Sequence, residues 1–190
     1  WAATRALWYA RIARTADWFV SGEADRLALA QPVDFEVKAR AVLADLDFTL
    51  TAKADRIDVA ADGRAYIYDY KTGLPPSPSE QRYFDKQLLL EAAMAENGDF
   101  EGLGPALVAE AVYLGLGSKP VTVAAPLQDE SPTQVWEAFH ALIKAYQDPT
   151  QGYTARRAMQ SDKTPGDYDQ LARFGEWDVT VAATAQVVKP

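Results

Sequence analysis

The sequence predicts an α/β fold, a mixed central sheet flanked by helices. Three observations carry this expectation. Segments of helical and strand period follow one another in the order helix, three strands, helix, strand, helix. The first three strands are capable of antiparallel pairing, and the helix before the fourth makes the sheet mixed. At 190 residues the chain reads as one domain, 1–190, with a sizeable core.

Residues 1 to 21 read as an amphipathic helix. Leu7, Trp8, Ile12, Ala16, Phe19 and Val20 recur at helical spacing, as a core or domain-contact stripe. Gly22 ends it, and Glu23 to Leu29 continue as a shorter helical turn. Strands follow at Phe35–Leu43 and Phe48–Val59, separated by a turn at Ala44-Asp45-Leu46-Asp47. In the second, Phe48, Leu50, Ala52 and Ala54 alternate with Thr49, Thr51 and Lys53, the period of a half-buried strand. Tyr66–Tyr70 is the third. Leu74-Pro75-Pro76-Ser77-Pro78 is a breaker-rich loop. Ser77 is placed as an N-cap, Pro78 at the first helical position and Glu80 as the other half of a capping box. That helix is predicted to run to Glu96 and stop at Asn97-Gly98, with Tyr83, Gln87 and Glu91 on one stripe.

Val108–Leu116 reads as a further strand. Leu114-Gly115-Leu116-Gly117-Ser118-Lys119 is superficially like a phosphate-binding loop. It lacks the Gly-Lys-Ser/Thr order and a following long helix, so it is a turn and no ATP site is visible. Thr133–Gln147 is a helix with Val135, Trp136, Phe139, Ile143 and Tyr146 inward, and His140 beside that face is a packed or surface residue. Residues 148–190 form a C-terminal arm holding Tyr153, Arg156, Arg157, Lys163, Arg173 and Trp177. Basic residues interleaved with aromatics can track a nucleic-acid single strand; packing of the arm on its own domain or a partner is the other reading.

The chemistry concentrates between Ala54 and Gly73. Strand-like residues flank Asp62-Gly63, a strong two-residue hairpin signal. With those two as the turn, Ala61 pairs with Arg64, Asp58 lies opposite Ile67 and Arg56 opposite Asp69. Ile67, Asp69, Lys71, Asp58 and Arg56 then share a face. Asp58 and Asp69 become diagonal neighbours, roughly 7–8 Å apart at the backbone, near enough to lean onto one Mg²⁺. Asp55 pairs with Tyr70 on the opposite face and is rejected. An odd slip of register flips this assignment, whereas a loop longer by an even number keeps it. From geometry alone a second reading stands beside the cation site: solvated aspartates, with Arg56–Asp69 an ordinary cross-strand ion pair.

Asp58 followed by Asp69-Tyr70-Lys71 resembles the signature of the PD-(D/E)XK nuclease superfamily. The longer strings Asp55-Arg56-Ile57-Asp58 and Ile67-Tyr68-Asp69-Tyr70-Lys71-Thr72-Gly73 resemble its RecB-like branch, and Gln87-Leu88-Leu89-Leu90-Glu91 resembles that branch's glutamine motif. The tail, Tyr168-Asp169-Gln170-Leu171-Ala172-Arg173 with Gly175-Glu176-Trp177, is similar to the C-terminal end of bacterial AddB proteins. The resemblance implies a restriction-endonuclease-like core. It implies Mg²⁺ or Mn²⁺ held by Asp58, Asp69 and the Tyr70 carbonyl. Lys71 would orient the attacking water and stabilise phosphate charge, Gln87 would position the lysine, water or strand, and Glu36 is a possible accessory carboxylate. It further implies DNA, with single-stranded ends, as substrate, and an AddA-type helicase/nuclease subunit as partner. Cleavage of a phosphodiester needs an activated hydroxide and neutralised charge, which a metal and an ammonium supply.

The chain departs from that pattern in places. It starts at Trp1 within a helical segment, so the helix from which relatives take a further histidine or glutamate is expected to be either absent or outside this chain, which reads as a C-terminal piece of a larger helicase/nuclease subunit. Having no cysteine, it carries no iron–sulfur cluster, and this is compatible with the cytoplasm. No apolar run is long enough to span a membrane, and no secretory signal stands at the start. The net charge of −8 is unfavourable for tight DNA binding by this piece alone, although catalytic carboxylates contribute to it and bound metal reverses the sign locally.

Overall fold

The computed structural model describes residues 1–152, 169–173, 175–178 and 180–181, with the backbone alone for Ala2 and Ala3. The chain forms two compact units, Trp1–Leu142 and Ile143–Pro190.

In the first unit a five-stranded mixed sheet has the order β1 (Gln31–Leu43), β2 (Phe48–Val59), β3 (Ala65–Lys71), β4 (Val108–Gly115), β5 (Val121–Ala124). β1, β2 and β3 pair antiparallel, β3 and β4 parallel, and β4 and β5 antiparallel. β5 was not anticipated. It is a four-residue strand, and the turn preceding it is the glycine-containing segment after Leu114. The expected α/β architecture is therefore present, with helices on both faces of the sheet.

One face packs against α3 (Gln87–Asn97) and the start of α4 (Pro132–Gln147). Its core includes Val37, Ala39, Ala41, Ala54, Ile57, Ile67, Leu88, Leu89, Met94 and Val135. The other packs against α1 (Ala2–Leu29), where Trp18 and Phe19 meet Tyr68, Val112 and Leu114. α1 does not stop at Gly22. An internal glycine costs only about 1 kcal/mol, and Arg26 reaches back over this turn, its Nε donating to Glu23 at 2.9 Å and its Nη2 to the Phe19 carbonyl at 3.3 Å. A Cβ on Gly22 would lie 3.0 Å from Arg26 Nη1, so the glycine makes room for that side chain.

The capped helix forms as expected at its start and is broken further on. Ser77 Oγ accepts from Glu80 N, the Glu80 carboxylate accepts from Ser77 N, and Pro78 opens α2 (Pro78–Tyr83). The chain then leaves the helix at Phe84, φ −132° and ψ −48°, and resumes at Gln87. Asp85 accounts for the break: its carboxylate accepts from Gln87 N at 3.3 Å and from the Tyr113 hydroxyl at 3.0 Å, a local side-chain bond competing with the helical ladder. Gly98, at φ +83°, ends α3 after Asn97. α4 begins one residue earlier than expected, its start held by reciprocal bonds between Ser131 and Gln134. His140 Nε2 lies 2.8 Å from Asp45 Oδ2 at the surface.

The β2–β3 hairpin corrects the expected register. Its connection is three residues long, not two: Ala60 N donates to Arg64 O, Gly63 N donates to Ala60 O, and Gly63 takes φ +84°. Val59 therefore pairs with Ala65, Ile57 with Ile67 and Arg56 with Tyr68. This is the odd slip that exchanges the two faces. Asp58 and Arg56 lie with Tyr66 and Tyr68 on the α1 side. Asp55, continuing the register by one step, lies with Asp69 on the α3 side.

Alternation is also interrupted within β2. Ala54 and Ile57 share the α3-side core although they are three residues apart. Opposite this point Glu36 adopts the left-handed region at φ +57°, the local distortion that re-aims strand side chains. Among the described residues no helix is long and apolar enough to cross a membrane. In the second unit, Arg173 pairs with Glu176 and Trp177 Nε1 donates to Ala172 O at 2.7 Å. Tyr153, Arg156, Arg157, Lys163 and Tyr168, which belong to the expected arm and its motif, lie outside the described residues.

Candidate active site

Two sites of opposite character occupy the two faces of the hairpin. On the α1 side Asp58 is fully buried, and Arg56 donates to both its oxygens at 2.6 Å through Nε and Nη2. Arg56 Nη1 donates at 2.6 Å to Glu23, which also accepts from Arg26. Burial pushes the Glu23 carboxyl up, but the bonds from Arg56 and Arg26 outweigh it and leave it below its ordinary range. Burial also disfavours the Arg56 charge, and the Asp58 and Glu23 carboxylates overcome that to raise its pKa well above normal. Tyr68, 5.4 Å from the guanidinium, has its phenol pushed up to about 12 by burial and by Asp58. With both oxygens engaged, Asp58 is a structural residue of the α1 interface. The expected Asp58–Asp69 pair does not form, because the odd-length turn sends the two to opposite faces.

On the α3 side the residues brought together are Asp55, Asp69, Lys71, Gln87 and Glu91. Asp69 is buried two residues before the end of β3, the central strand of the sheet. Gln87, first residue of α3, donates through Nε2 to Asp69 Oδ2 at 2.7 Å and to Glu91 Oε1 at 3.1 Å. Its Oε1 accepts from Lys71 Nζ at 3.0 Å. The break at Asp85 starts α3 at this glutamine and so sets its place. Lys71 Nζ lies 2.9 Å from Asp69 Oδ1, outside hydrogen-bonding angles, and 5.0 Å from the centre of the Tyr113 ring. Asp55 Oδ2 accepts from Tyr70 N at 2.9 Å, which ties the first carboxylate to the strand carrying the second. The N–H and C=O of one strand residue point toward the same neighbour. The Tyr70 carbonyl therefore also faces β2 and Asp55, while its ring sits on the other face, 6.0 Å from Phe19. Glu36 is not part of the cluster; it is exposed and ion-paired with Lys53.

Electrostatically this face is left open. Asp69 Oδ1 and Glu91 Oε2 are buried oxygens without a hydrogen bond. Burial pushes the Glu91 carboxyl up to about 7; the Gln87 bond opposes this, and the Asp69 and Asp55 charges add to it. Hard carboxylate and carbonyl oxygens suit Mg²⁺ or Mn²⁺. Among the described residues no three acidic, histidine or cysteine side chains form a cation cage. The donor set fits Mg²⁺ nonetheless, since that ion keeps several waters and is commonly held by one or two carboxylates plus substrate phosphate. Glu91 and Asp55 escaped the sequence reading of the site. Glu91 was visible as the residue one helical turn after Gln87, and Asp55 was discarded by the two-residue turn.

No curated protein sequence matches the chain. The profile of the PD-(D/E)XK nuclease superfamily matches residues 2–176, a span that holds the hairpin, Lys71 and α3. The chain belongs to the PD-(D/E)XK nuclease superfamily, whose members are generally DNA-binding nucleases that typically use divalent metals.

Proposed function

We propose that this chain is a divalent-metal-dependent deoxyribonuclease domain of the RecB-like branch, hydrolysing phosphodiester bonds on the α3 side of the hairpin. One observation carries the reading. Asp69, Lys71 and Gln87 are joined by contacts of 2.7–3.0 Å, with Asp55 tied to the same strand. Asp55, Asp69 and the Tyr70 carbonyl would hold Mg²⁺ or Mn²⁺. When bound, the cation supplies an activated hydroxide and neutralises charge on the phosphate. Lys71 orients the water and offers a second positive centre to the phosphoryl oxygens. Gln87 holds the ammonium in place through its carbonyl oxygen.

The finer assignment is to an AddB-type subunit that cuts single strands delivered by an AddA-type helicase during double-strand break repair in the cytoplasm. It is supported by the motif strings around Asp55, Asp69 and Gln87 and by the tail near Trp177. A second reading, a nuclease-fold module without activity that guides DNA or docks a subunit, is favoured by the −8 charge and by the exposed Leu7, Tyr9 and Ile12 of α1.

Thermal melting during a Mg²⁺ or Mn²⁺ titration, paired with cleavage of single-stranded DNA, separates the two. The nuclease reading expects a cation-dependent rise in melting temperature, absent from Asp69→Asn and Asp55→Asn, and cleavage lost in both. An unchanged melting curve with no cleavage by the full-length protein sinks it.

A further inference from the structure

Glu91 has no part in the chemistry above, yet it is the most enclosed acid on the reactive face. It is 3 % exposed, its Oε1 accepts from Gln87, and its Oε2 has no partner. A buried carboxylate with an orphaned oxygen weakens the fold, so folding alone does not account for it. Gln87 does. A carboxamide can be turned over at small intrinsic cost, exchanging its oxygen with its NH₂. Here the NH₂ faces two carboxylates, Asp69 at 2.7 Å and Glu91 at 3.1 Å, and the oxygen faces the Lys71 ammonium at 3.0 Å. Both N–H donors are used. Turned over, the amide oxygen would meet two anionic acceptors and the NH₂ would meet an ammonium. Asp69 alone fixes one of the two donors, and Glu91 fixes the other.

We infer that Glu91 is a positioning residue: it locks the orientation of the Gln87 carboxamide, and through it holds the Lys71 ammonium beside Asp69. The inference rests on the nuclease reading of this face.

The test uses the full chain, single-stranded DNA and Mn²⁺, with Glu91→Leu, which removes the acceptor at similar volume. The expected result is a fall in kcat of about tenfold or more, with KM changed by less than about threefold. The melting temperature should not fall, because an orphaned buried carboxylate has been removed. Glu91→Gln, which restores an acceptor, should return kcat to within about threefold of the parent. In a Gln87→Ala background Glu91→Leu should change nothing further, since the two act as a unit. A readout apart from cleavage is proton exchange of the Gln87 side-chain amide by NMR, expected to quicken about tenfold in Glu91→Leu. Equal losses of kcat in both backgrounds, or unchanged amide exchange, would overturn the inference. So would a loss of activity that merely tracks a lower melting temperature. If neither protein cleaves DNA while the amide exchange still responds to Glu91, the nuclease reading fails and the positioning relation holds.

Discussion

The two faces of the β2–β3 hairpin each set carboxylates against a cation, and they are finished in opposite ways. On the α1 side Arg56 takes both oxygens of Asp58 and is itself shared with Glu23, so each charge in the network is paired. On the α3 side Lys71 is one-third exposed, and Asp69 and Glu91 each retain an oxygen without a bond. A fully buried carboxylate with each oxygen already held by a guanidinium has little capacity left for a ligand. One held in place by a single amide, with a free oxygen beside a partly exposed ammonium, has that capacity. Charge and proximity are alike on the two faces; saturation distinguishes them.

Asp58→Ala breaks this comparison most severely. It leaves Arg56 charged and buried, at a cost of about 3–5 kcal/mol. Denaturant unfolding should show this loss, whereas Asp69→Asn should leave the midpoint nearly unchanged, because it removes a buried charge whose Oδ1 is paired only with the one-third-exposed Lys71 ammonium. Equal destabilisation by both would mean that the two faces do the same job.

Lys71→Ala comes next. The ammonium is paired only in part and one-third exposed, so its loss should change the melting temperature little. Turnover on single-stranded DNA should fall by about 10²–10³-fold, as expected when one charge-stabilising group is lost. Residual activity near normal together with a large loss of stability would move Lys71 to the structural side of the comparison.

Glu91 sharpens it through pH. Its carboxyl is raised to about 7 in the fold by burial first, and then by Asp69 and Asp55. The folded state therefore binds more protons than the unfolded one between the ordinary value of 4.5 and about 7. Stability should decline as pH rises through that window, by about 2–3 kcal/mol between pH 5 and pH 8. Glu91→Gln should flatten the decline, measured as unfolding free energy at pH 5 and pH 8. A wild-type curve that rises over this range would contradict the burial of a charge-averse acid.

Much of this was legible in the sequence because local chemistry decided it. The Ser77-Pro78-Glu80 cap, the alternation from Phe48 to Ala54 and the stop at Gly98 each depend on residues within a few positions of one another. Asp69 and Lys71 were singled out where strand period and motif agreed, and Gln87 by the motif alone, since nothing in the helical period distinguishes it from a surface glutamine. The failures were of parity and of competition. Asp62-Gly63 reads equally as a two-residue turn or as the end of a three-residue one, and that single residue decides whether Asp55 or Asp58 meets Asp69. Nothing in the sequence around Glu36 marks its left-handed backbone. Asp85 breaks the helix through Tyr113, a partner far along the chain. The buried Arg56–Asp58–Glu23 network likewise depends on α1 running through Gly22, which propensity alone argues against.

The smallest expected effect tests what holds the two faces apart. Gly63 sits at φ +84° with no atom within 4 Å of where a Cβ would go. Gly63→Ala therefore meets no clash and adds only the strain of a left-handed alanine, about 1–2 kcal/mol. If the packed faces hold the register, that is the whole effect, because a slip by one residue would carry Ile57 out of the α3-side core and Arg56 away from Glu23. Cleavage per folded molecule should then match the parent, with a denaturation midpoint lowered by no more than the strain. A larger loss, together with cleavage that now depends on Asp58 instead of Asp55, would show that the turn and not the packing decides which carboxylate meets Asp69.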